Sequence, residues 1–217
     1  LILGENESGR GTVLVTNKLM EQFGITQEQL HADAMENAPE IRPSEIRGMS
    51  EVMNEIAPGM ASEIAPEDEQ MFVASVPDKI NGAGVIAYPN FMEDAAQKLG
   101  GDFYVLPSSI HEVLLVRDNG QMTAKELEQM VKEVNSTQVS PDEQLTDHAY
   151  HYDAKAHVFE MADRFEARQA EMDAEEHGAD KDSVLGDLKA KKDEAAKQSP
   201  EKHAKDVVKK SRGGEAL

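Results

Sequence analysis

Apolar and polar positions are most regular between residues 71 and 153, where strand, turn and helix signals follow one another without a break. Residues 71–76 alternate as a strand does, and residues 84–88 form a second short apolar run. Asn81 and Gly82 between them are typical of a tight turn. The pattern therefore predicts a β-hairpin.

After the predicted hairpin, apolar residues recur at helical spacing, and two strand-like runs come after them. One apolar helix face is formed by Phe91, Met92, Ala95, Ala96 and Leu99. Gly100 comes next, in the place where a left-handed residue ends a helix. Residues 102–106 and 113–116 are rich in apolar, aromatic and β-branched side chains, so we expect a strand on each side of a short loop.

A capping box marks the last helix of this region. Thr123 is followed three residues later by Glu126, and this pair satisfies free backbone N–H groups at a helix start. The predicted buried stripe of the helix consists of Leu127, Met130, Val131 and Val134.

Upstream of residue 59, the pattern indicates one strand followed by three helices. Residues 11–16 are mostly β-branched and apolar and predict the strand, after which Asn17 is the expected N-cap. Thr26 is expected to cap a second helix that ends at Pro39. Apolar positions at three- and four-residue steps predict a third helix over residues 44–56.

The order β-β-α-β-β-α predicts an α+β fold, with a mainly antiparallel sheet covered by helices on one face. We expect residues 1–70 to form the N-terminal strand and helices of the main domain, and residues 71–159 to form its central unit. Residues 160–217 are expected to form a charged helical tail that is partly disordered, because they have few large apolar side chains.

Charge narrows the class of function. Asp and Glu outnumber Lys and Arg by 42 to 22, a net charge of -20, so we expect no direct binding to nucleic acid and no membrane association. The sequence has neither a signal-peptide pattern nor an apolar run near the roughly 20 residues of a membrane helix, which favours a cytoplasmic protein. The absence of cysteine excludes disulfides and thiol catalysis. Because the chain begins at Leu1, we expect an upstream piece to be missing.

Four sequence blocks carry a family resemblance: INGAGVIAYP, LGGDFYVLPSSIHEVLLV, KEVNSTQVSPDEQLTD and AYHYD. Residues 11–158, which contain them, resemble a bacterial family of unknown function, the one numbered five-six-eight-eight. The resemblance implies an accessory protein of conjugative and other mobile elements, and it implies no activity or catalytic residue. The tail extends beyond the family pattern, which puts a simple single-domain role in doubt.

A hydrolytic site is one chemical hypothesis. Ser108 and Ser109 lie close in sequence to His111 and Glu112, so a nucleophile and a base are both present. Neighbours on a strand point to opposite faces, and no nucleophile-elbow motif is present. The alternative, which we favour, is that the serines bind the loop backbone while His111 and Glu112 begin a surface strand.

A metal site is the second chemical hypothesis. His151 and Asp153 would share one face of a strand, and a return strand could bring His157 beside them. The alternative is an exposed hairpin whose tyrosines, Tyr150 and Tyr152, cover the opposite face of the sheet. We favour the hairpin, and we expect no cofactor.

The tail offers a surface for another protein. Its apolar positions recur at helical steps, which predicts an amphipathic helix. The residues expected to bind the partner are Phe165, Met172, Val184, Leu185 and Leu188.

Three functional classes remain. The sequence favours a non-catalytic protein-interaction protein with a protein partner that it does not identify. The first alternative is an acidic decoy that occupies a DNA-binding protein, because residues 1–162 carry 28 acidic and 10 basic side chains. The second is an unrecognised hydrolase or metalloenzyme, which requires one of the two histidine groups to converge in a cleft.

Overall fold

The computed structural model describes residues 2–6, 9–58, 64–65 and 67–174. The chain divides into two compact units, Leu1–Arg168 and Gln169–Leu217. The predicted start of the tail at residue 160 lies upstream of this division. The predicted partner-binding residues Val184, Leu185 and Leu188 lie outside the described residues.

The described part of the chain mixes strands and helices. Its strands are β1 (Ile2–Asn6), β2 (Gly9–Thr12), β3 (Glu45–Gly48), β4 (Met71–Ser75), β5 (Phe103–Leu106), β6 (Val113–Arg117), β7 (Tyr150–Asp153) and β8 (Val158–Met161). Its helices are α1 (Asn17–Phe23), α2 (Gln27–Ile41), α3 (Met49–Ile56), α4 (Phe91–Leu99), α5 (Ala124–Thr137) and α6, which begins at residue 162 and is described to residue 174. A 3-10 helix spans Gly82–Ala87.

The main sheet has six strands in the order β3-β4-β6-β5-β7-β8, and every neighbouring pair is antiparallel. β1 and β2 form a separate antiparallel pair. The α+β class and the antiparallel sheet predicted from sequence are therefore confirmed, together with the N-terminal helices.

Helices cover both faces of this sheet, whereas the sequence predicted cover on one. Phe103 and Val105 of β5 pack with α4 and the 3-10 helix, while Tyr104 and Leu106 pack with α5 and the start of α6. All four residues of β5 are buried, because the strand is apolar on both sides. A continuous apolar strand is typical of a sheet with two covered faces.

The predicted hairpin over residues 71–88 is wrong in its second half. Residues 71–75 do form β4, but the following apolar run folds as the 3-10 helix. Its Ala83 N–H donates to the carbonyl of Ile110 at 3.1 Å, and Val85 is fully buried. A short apolar run fits a buried helix as well as a strand, and here tertiary contacts decide between them.

Three N-terminal boundaries also differ from prediction. β2 ends at Thr12, and Thr16 rather than Asn17 caps α1. α2 continues through Pro39 to Ile41, since the Arg42 N–H still reaches the carbonyl of Ala38 at 2.8 Å. Because Pro39 has no backbone N–H, one backbone hydrogen bond is absent near the end of the helix, but the helix continues.

Residues 45–48 form strand β3 instead of the first turn of the predicted third helix. β3 pairs with β4, which places Ile46 beside Ala74 against the core. The helix starts only at Met49, where the buried carboxylate of Glu69 accepts the Ser50 N–H at 3.1 Å. Strand pairing and a cap from a distant residue thus set this boundary.

Three of the predicted helix ends are confirmed. Thr123 and Glu126 form the full capping box of α5, and Thr26 forms one with Gln29 at the start of α2. Gly100 ends α4 in the left-handed region, with φ of 88°.

Replacing Thr123 with alanine is expected to lower the free energy of unfolding by about 1 kcal/mol, the usual cost of losing an N-cap side chain. Its hydroxyl oxygen accepts the Glu126 N–H at 3.3 Å, and that N–H has no substitute partner inside the helix. Thr137→Ala, at the other end of α5, is the matched control and is expected to change the free energy of unfolding by less than about 0.5 kcal/mol. Urea unfolding of both variants measures the difference, and equal losses would contradict the capping role.

Candidate functional site

A groove of about 520 Å³ lies beside α1 and α2. Most of its lining is apolar, and these side chains come from the end of α1, the connection after it and one side of α2. They are Phe23, Ile25, Leu30, Ala34, Ala38 and Ile41, together with Val15 from the segment before α1. Asp33, Asn37 and Arg42 supply the polar part of the lining.

The spacing of the α2 residues explains this groove. Leu30, Ala34, Ala38 and Ile41 recur at steps of four, four and three, which places them on one face of the helix. Neither α1 nor α2 contains a buried residue. Phe23 is 54% exposed and Ile41 is 61% exposed, so the apolar stripe is open within the part of the chain that the structure describes.

The C-terminal end of α2 is fixed to the central unit. Arg42 forms an ion pair with Asp78 and donates a hydrogen bond to the carbonyl of Ile80. The hydroxyl of Tyr88 donates to the Arg42 carbonyl at 3.0 Å, and burial raises the pKa of that tyrosine. The groove therefore has one firmly attached end.

The charge around the groove is negative. α1 and α2 contain five carboxylates, Glu21, Glu28, Asp33, Glu36 and Glu40, and one basic side chain, Lys18. Within the described residues none of these six side chains forms an ion pair. The surface around the apolar stripe thus carries unneutralised negative charge.

His111, from the first chemical hypothesis, is held by the loops around it. Its Nδ1 accepts the Asn81 N–H at 3.2 Å, so the neutral ring carries its hydrogen on Nε2. Nε2 lies 3.2 Å from Oε1 of Glu143, a carboxylate from a later loop. Both ring nitrogens therefore have partners, and these contacts connect the loops that contain Asn81, His111 and Glu143.

The two serines of that hypothesis have backbone partners. The Ser109 hydroxyl oxygen accepts the backbone N–H of His111 at 3.1 Å. Ser108 is buried, and its carbonyl accepts the Leu145 N–H at 3.2 Å. The carboxylate hydrogen-bonded to the imidazole is that of Glu143, while the prediction named Glu112. Such contacts are those of a structured loop, stabilised by the Ser109 hydroxyl and by the Ser108 backbone carbonyl.

His151 lies at the centre of a buried cluster on the α5 side of the sheet. Its Nε2 is 3.0 Å from Oδ2 of Asp118, and it is fully buried. Phe165 stacks on the ring with centroids 3.4 Å apart, and Tyr104 meets it edge-on at 4.9 Å. The hydrogen bond from His151 lowers the pKa of Asp118, while burial raises that of Tyr104.

The predicted metal trio has separate partners. The carboxylate of Asp153 accepts the backbone N–H of Ala156 at 2.8 Å and faces Arg168 at 3.4 Å. His157 lies next to the hydroxyl of Tyr152, with Nδ1 at 3.2 Å. Across the described ranges, no group of three or more His, Cys, Asp or Glu side chains has an arrangement that could hold a metal ion.

Sequence reasoning missed the acidic partners of both histidines. Asp118 and Glu143 reach them through strand pairing and loop packing from about 30 residues away in the chain. No local motif signals such a pair. Alternation along β7 indicated only that His151 and Tyr152 face opposite sides of the sheet.

Comparison with known proteins gives a family assignment. The model of a family of unknown function (DUF5688) matches residues 1–154. The chain belongs to DUF5688. The resemblance inferred from residues 11–158 is thereby confirmed. No curated protein and no solved structure matches this DUF5688 chain.

The family match ends at residue 154, just before β8 and α6. In this DUF5688 member, Phe165 of α6 is a contact of the first unit itself, because its ring stacks on His151. Arg168 lies 5.5 Å from the Phe165 ring centroid and pairs with Glu160 at 2.7 Å. Met172 is exposed. None of the helices in the described ranges is long and apolar enough to cross a lipid bilayer.

Proposed function

We propose that this DUF5688 chain is a non-catalytic protein-interaction protein, an accessory protein of a bacterial mobile genetic element that acts in the cytoplasm. Its partner inserts an amphipathic helix into the groove beside α1 and α2. The observation that carries the proposal is the open apolar stripe of α2, which ends at the exposed Ile41 and lies beside the exposed Phe23 of α1. The mobile-element part follows from the family resemblance alone.

A helix is the occupant that suits this surface. Grooves between packed helices receive the apolar face of a third helix through anchors one turn apart, and the α2 stripe has that repeat. Full burial of a fully exposed Phe or Ile side chain is worth about 1.5–3 kcal/mol, so covering side chains that are 54% and 61% exposed contributes about half of that for each. Two such residues border the groove, Phe23 and Ile41.

The histidine groups support a role without catalysis. Nδ1 of His111 accepts a backbone N–H, so it has no free lone pair with which to act as a base. His151 is fully buried and sandwiched against Phe165, where no substrate reaches it. Both groups are explained as packing and loop contacts, which leaves the groove as the better candidate site.

Replacing Ile41 with glutamine is expected to abolish capture of the partner from native host lysate while the protein remains folded. Ile41 is the last residue of α2 and lines the groove. Ile56→Gln is the matched control, since Ile56 is also the last residue of a helix, is 71% exposed, and does not line the groove. Affinity capture with both variants and the unchanged chain, followed by mass spectrometry, measures the difference.

The captured proteins discriminate between the functional classes. A protein retained by Ile56→Gln and lost with Ile41→Gln supports the proposal, provided that a helix of that protein competes for the groove. A DNA-binding protein retained by all three chains would favour the acidic decoy instead. Capture that does not depend on Ile41 would contradict the groove as the binding surface.

A further inference from the structure

We infer that the helix received by the groove beside α1 and α2 is basic, with Lys or Arg side chains flanking its apolar face. This inference rests on the proposed function and specifies the chemistry of the partner. Two independent observations support it: the apolar stripe sets the shape of the occupant, and the unpaired carboxylates around the stripe set its charge.

One carboxylate lies where it can meet the flank of a bound helix, and others lie nearby on α2. Asp33 lines the groove itself, three residues after Leu30 of the apolar stripe and one turn before Asn37. Glu36 and Glu40 follow Asp33 at three- and four-residue steps, but they lie further around α2 and outside the lining of the groove. A basic side chain next to an apolar anchor would therefore meet Asp33 directly, while Glu36 and Glu40 add to the negative charge of the helix.

The basic side chain at the groove does not neutralise them. Arg42 belongs to the lining, but its guanidinium is bound to Asp78 and to the carbonyl of Ile80. Lys18 is the single basic residue of the two helices and forms no ion pair within the described residues. The local charge of α1 and α2 therefore stays negative.

Charge also decides against other occupants. A second copy of this chain would bring its own acidic surface, because residues 1–162 carry 28 acidic and 10 basic side chains. Like charges placed together across an interface disfavour association. Phosphate groups of nucleic acids and anionic lipids are repelled for the same reason. A cationic helix is the occupant for which shape and charge agree.

Two synthetic peptides test the inference with the full chain. Both are amphipathic helices of about 20 residues with the same leucine face, and the flanking positions are lysine in one and glutamate in the other. Fluorescence anisotropy at low salt is expected to show that the lysine peptide binds at least about tenfold more tightly than the glutamate peptide. Raising the salt from about 50 mM to about 500 mM is expected to remove most of that difference, because exposed charges are screened.

Variants of the chain locate the binding. Ile41→Gln is expected to weaken lysine-peptide binding by about tenfold or more, and Ile56→Gln to leave it unchanged. Asp33→Asn is expected to weaken it by about threefold relative to Asp142→Asn, an exposed loop carboxylate outside the groove.

The possible outcomes distinguish failure of this inference from failure of the proposed function. If both peptides bind equally and both are lost with Ile41→Gln, the groove receives helices but the basic character is refuted. If the lysine peptide binds Ile41→Gln and Ile56→Gln alike, its attraction is diffuse, and the inference is overturned. If neither peptide binds, the inference also fails, and capture from lysate then decides the proposed function on its own.

Discussion

Replacing His151 with alanine is expected to lower the free energy of unfolding by about 3–5 kcal/mol, the usual cost of removing one partner from a buried ionisable pair. The imidazole is fully buried, with Nε2 3.0 Å from Oδ2 of Asp118. Phe165 and Tyr104 pack against its ring, so the change also opens a cavity between two aromatic side chains. Urea unfolding at neutral pH measures the loss.

His148→Ala is the matched control for this variant. Nδ1 of His148 also lies 3.0 Å from a carboxylate oxygen, in this case of Glu128, but the imidazole is 50% exposed. Exposed ion pairs contribute little, so we expect a loss of less than about 1 kcal/mol. Equal losses in the two variants would contradict the claim that burial makes the His151 cluster important.

The same pair predicts how stability depends on pH. The hydrogen bond from His151 lowers the pKa of Asp118 below its usual value of 3.8 in the folded protein. The contribution of Asp118 is therefore present above pH 3.8 and is lost as the pH falls through the lower folded pKa. In His151→Ala this contribution is reduced to what the remaining partners supply, among them the Gly120 N–H at 3.0 Å, so the acid-induced loss of stability below that pH is expected to be smaller than in the unchanged protein.

Replacing Gly82 with alanine is expected to lower the free energy of unfolding by about 3 kcal/mol, because a methyl group does not fit there. Its Cβ would lie 2.6 Å from the His111 carbonyl oxygen and 2.9 Å from the Val76 nitrogen, and closer still to Oγ of Ser75. Two of these atoms belong to the backbone, so relief requires movement of β4 or of the loop at residue 111. Urea unfolding again measures the change.

Gly84→Ala is the control, since Gly84 lies in the same 3-10 helix and its Cβ would meet no atom within 4 Å. Alanine at a compatible position restricts the unfolded chain, so stability is expected to stay the same or rise by up to about 1 kcal/mol. A loss of similar size at both positions would show that the helix itself rejects alanine, and that the close approach at Gly82 is not the cause.

Elements with a local chemical signal could be predicted from the sequence. The capping box of Thr123 and Glu126, and the left-handed Gly100 after α4, each involve atoms a few residues apart. Their energetics are present in any short segment with that sequence. The start of α5 and the end of α4 were therefore found without knowledge of the rest of the fold.

Elements decided by distant contacts could not be predicted. Residues 45–48 fit a helical spacing, yet they form β3 because β4 offers backbone partners and Glu69 caps the helix after it. The apolar run after Gly82 was assigned to a strand, although its helical form depends on the loop near Ile110. In both cases the deciding atoms lie far away in the chain.

The candidate site shows the same limit. The sequence predicts a second helix that begins at Thr26, and Leu30 and Ala34 share one face of it, but spacing does not reveal whether another element covers that face. Only the positions of α1 and α2 show that Phe23 and Ile41 remain exposed. Their exposure turned an ordinary amphipathic helix into a candidate binding surface.

Photo-crosslinking in the native host tests the central claim most directly. Benzoylphenylalanine is placed at Phe23 in the groove or, as a control, at Ile56 outside it; the two side chains are 54% and 71% exposed. We expect a discrete adduct at Phe23 and none at Ile56, with the crosslinked partner segment an amphipathic helix. No adduct at Phe23, or the same adducts at both positions, would contradict the claim that this groove binds a partner protein.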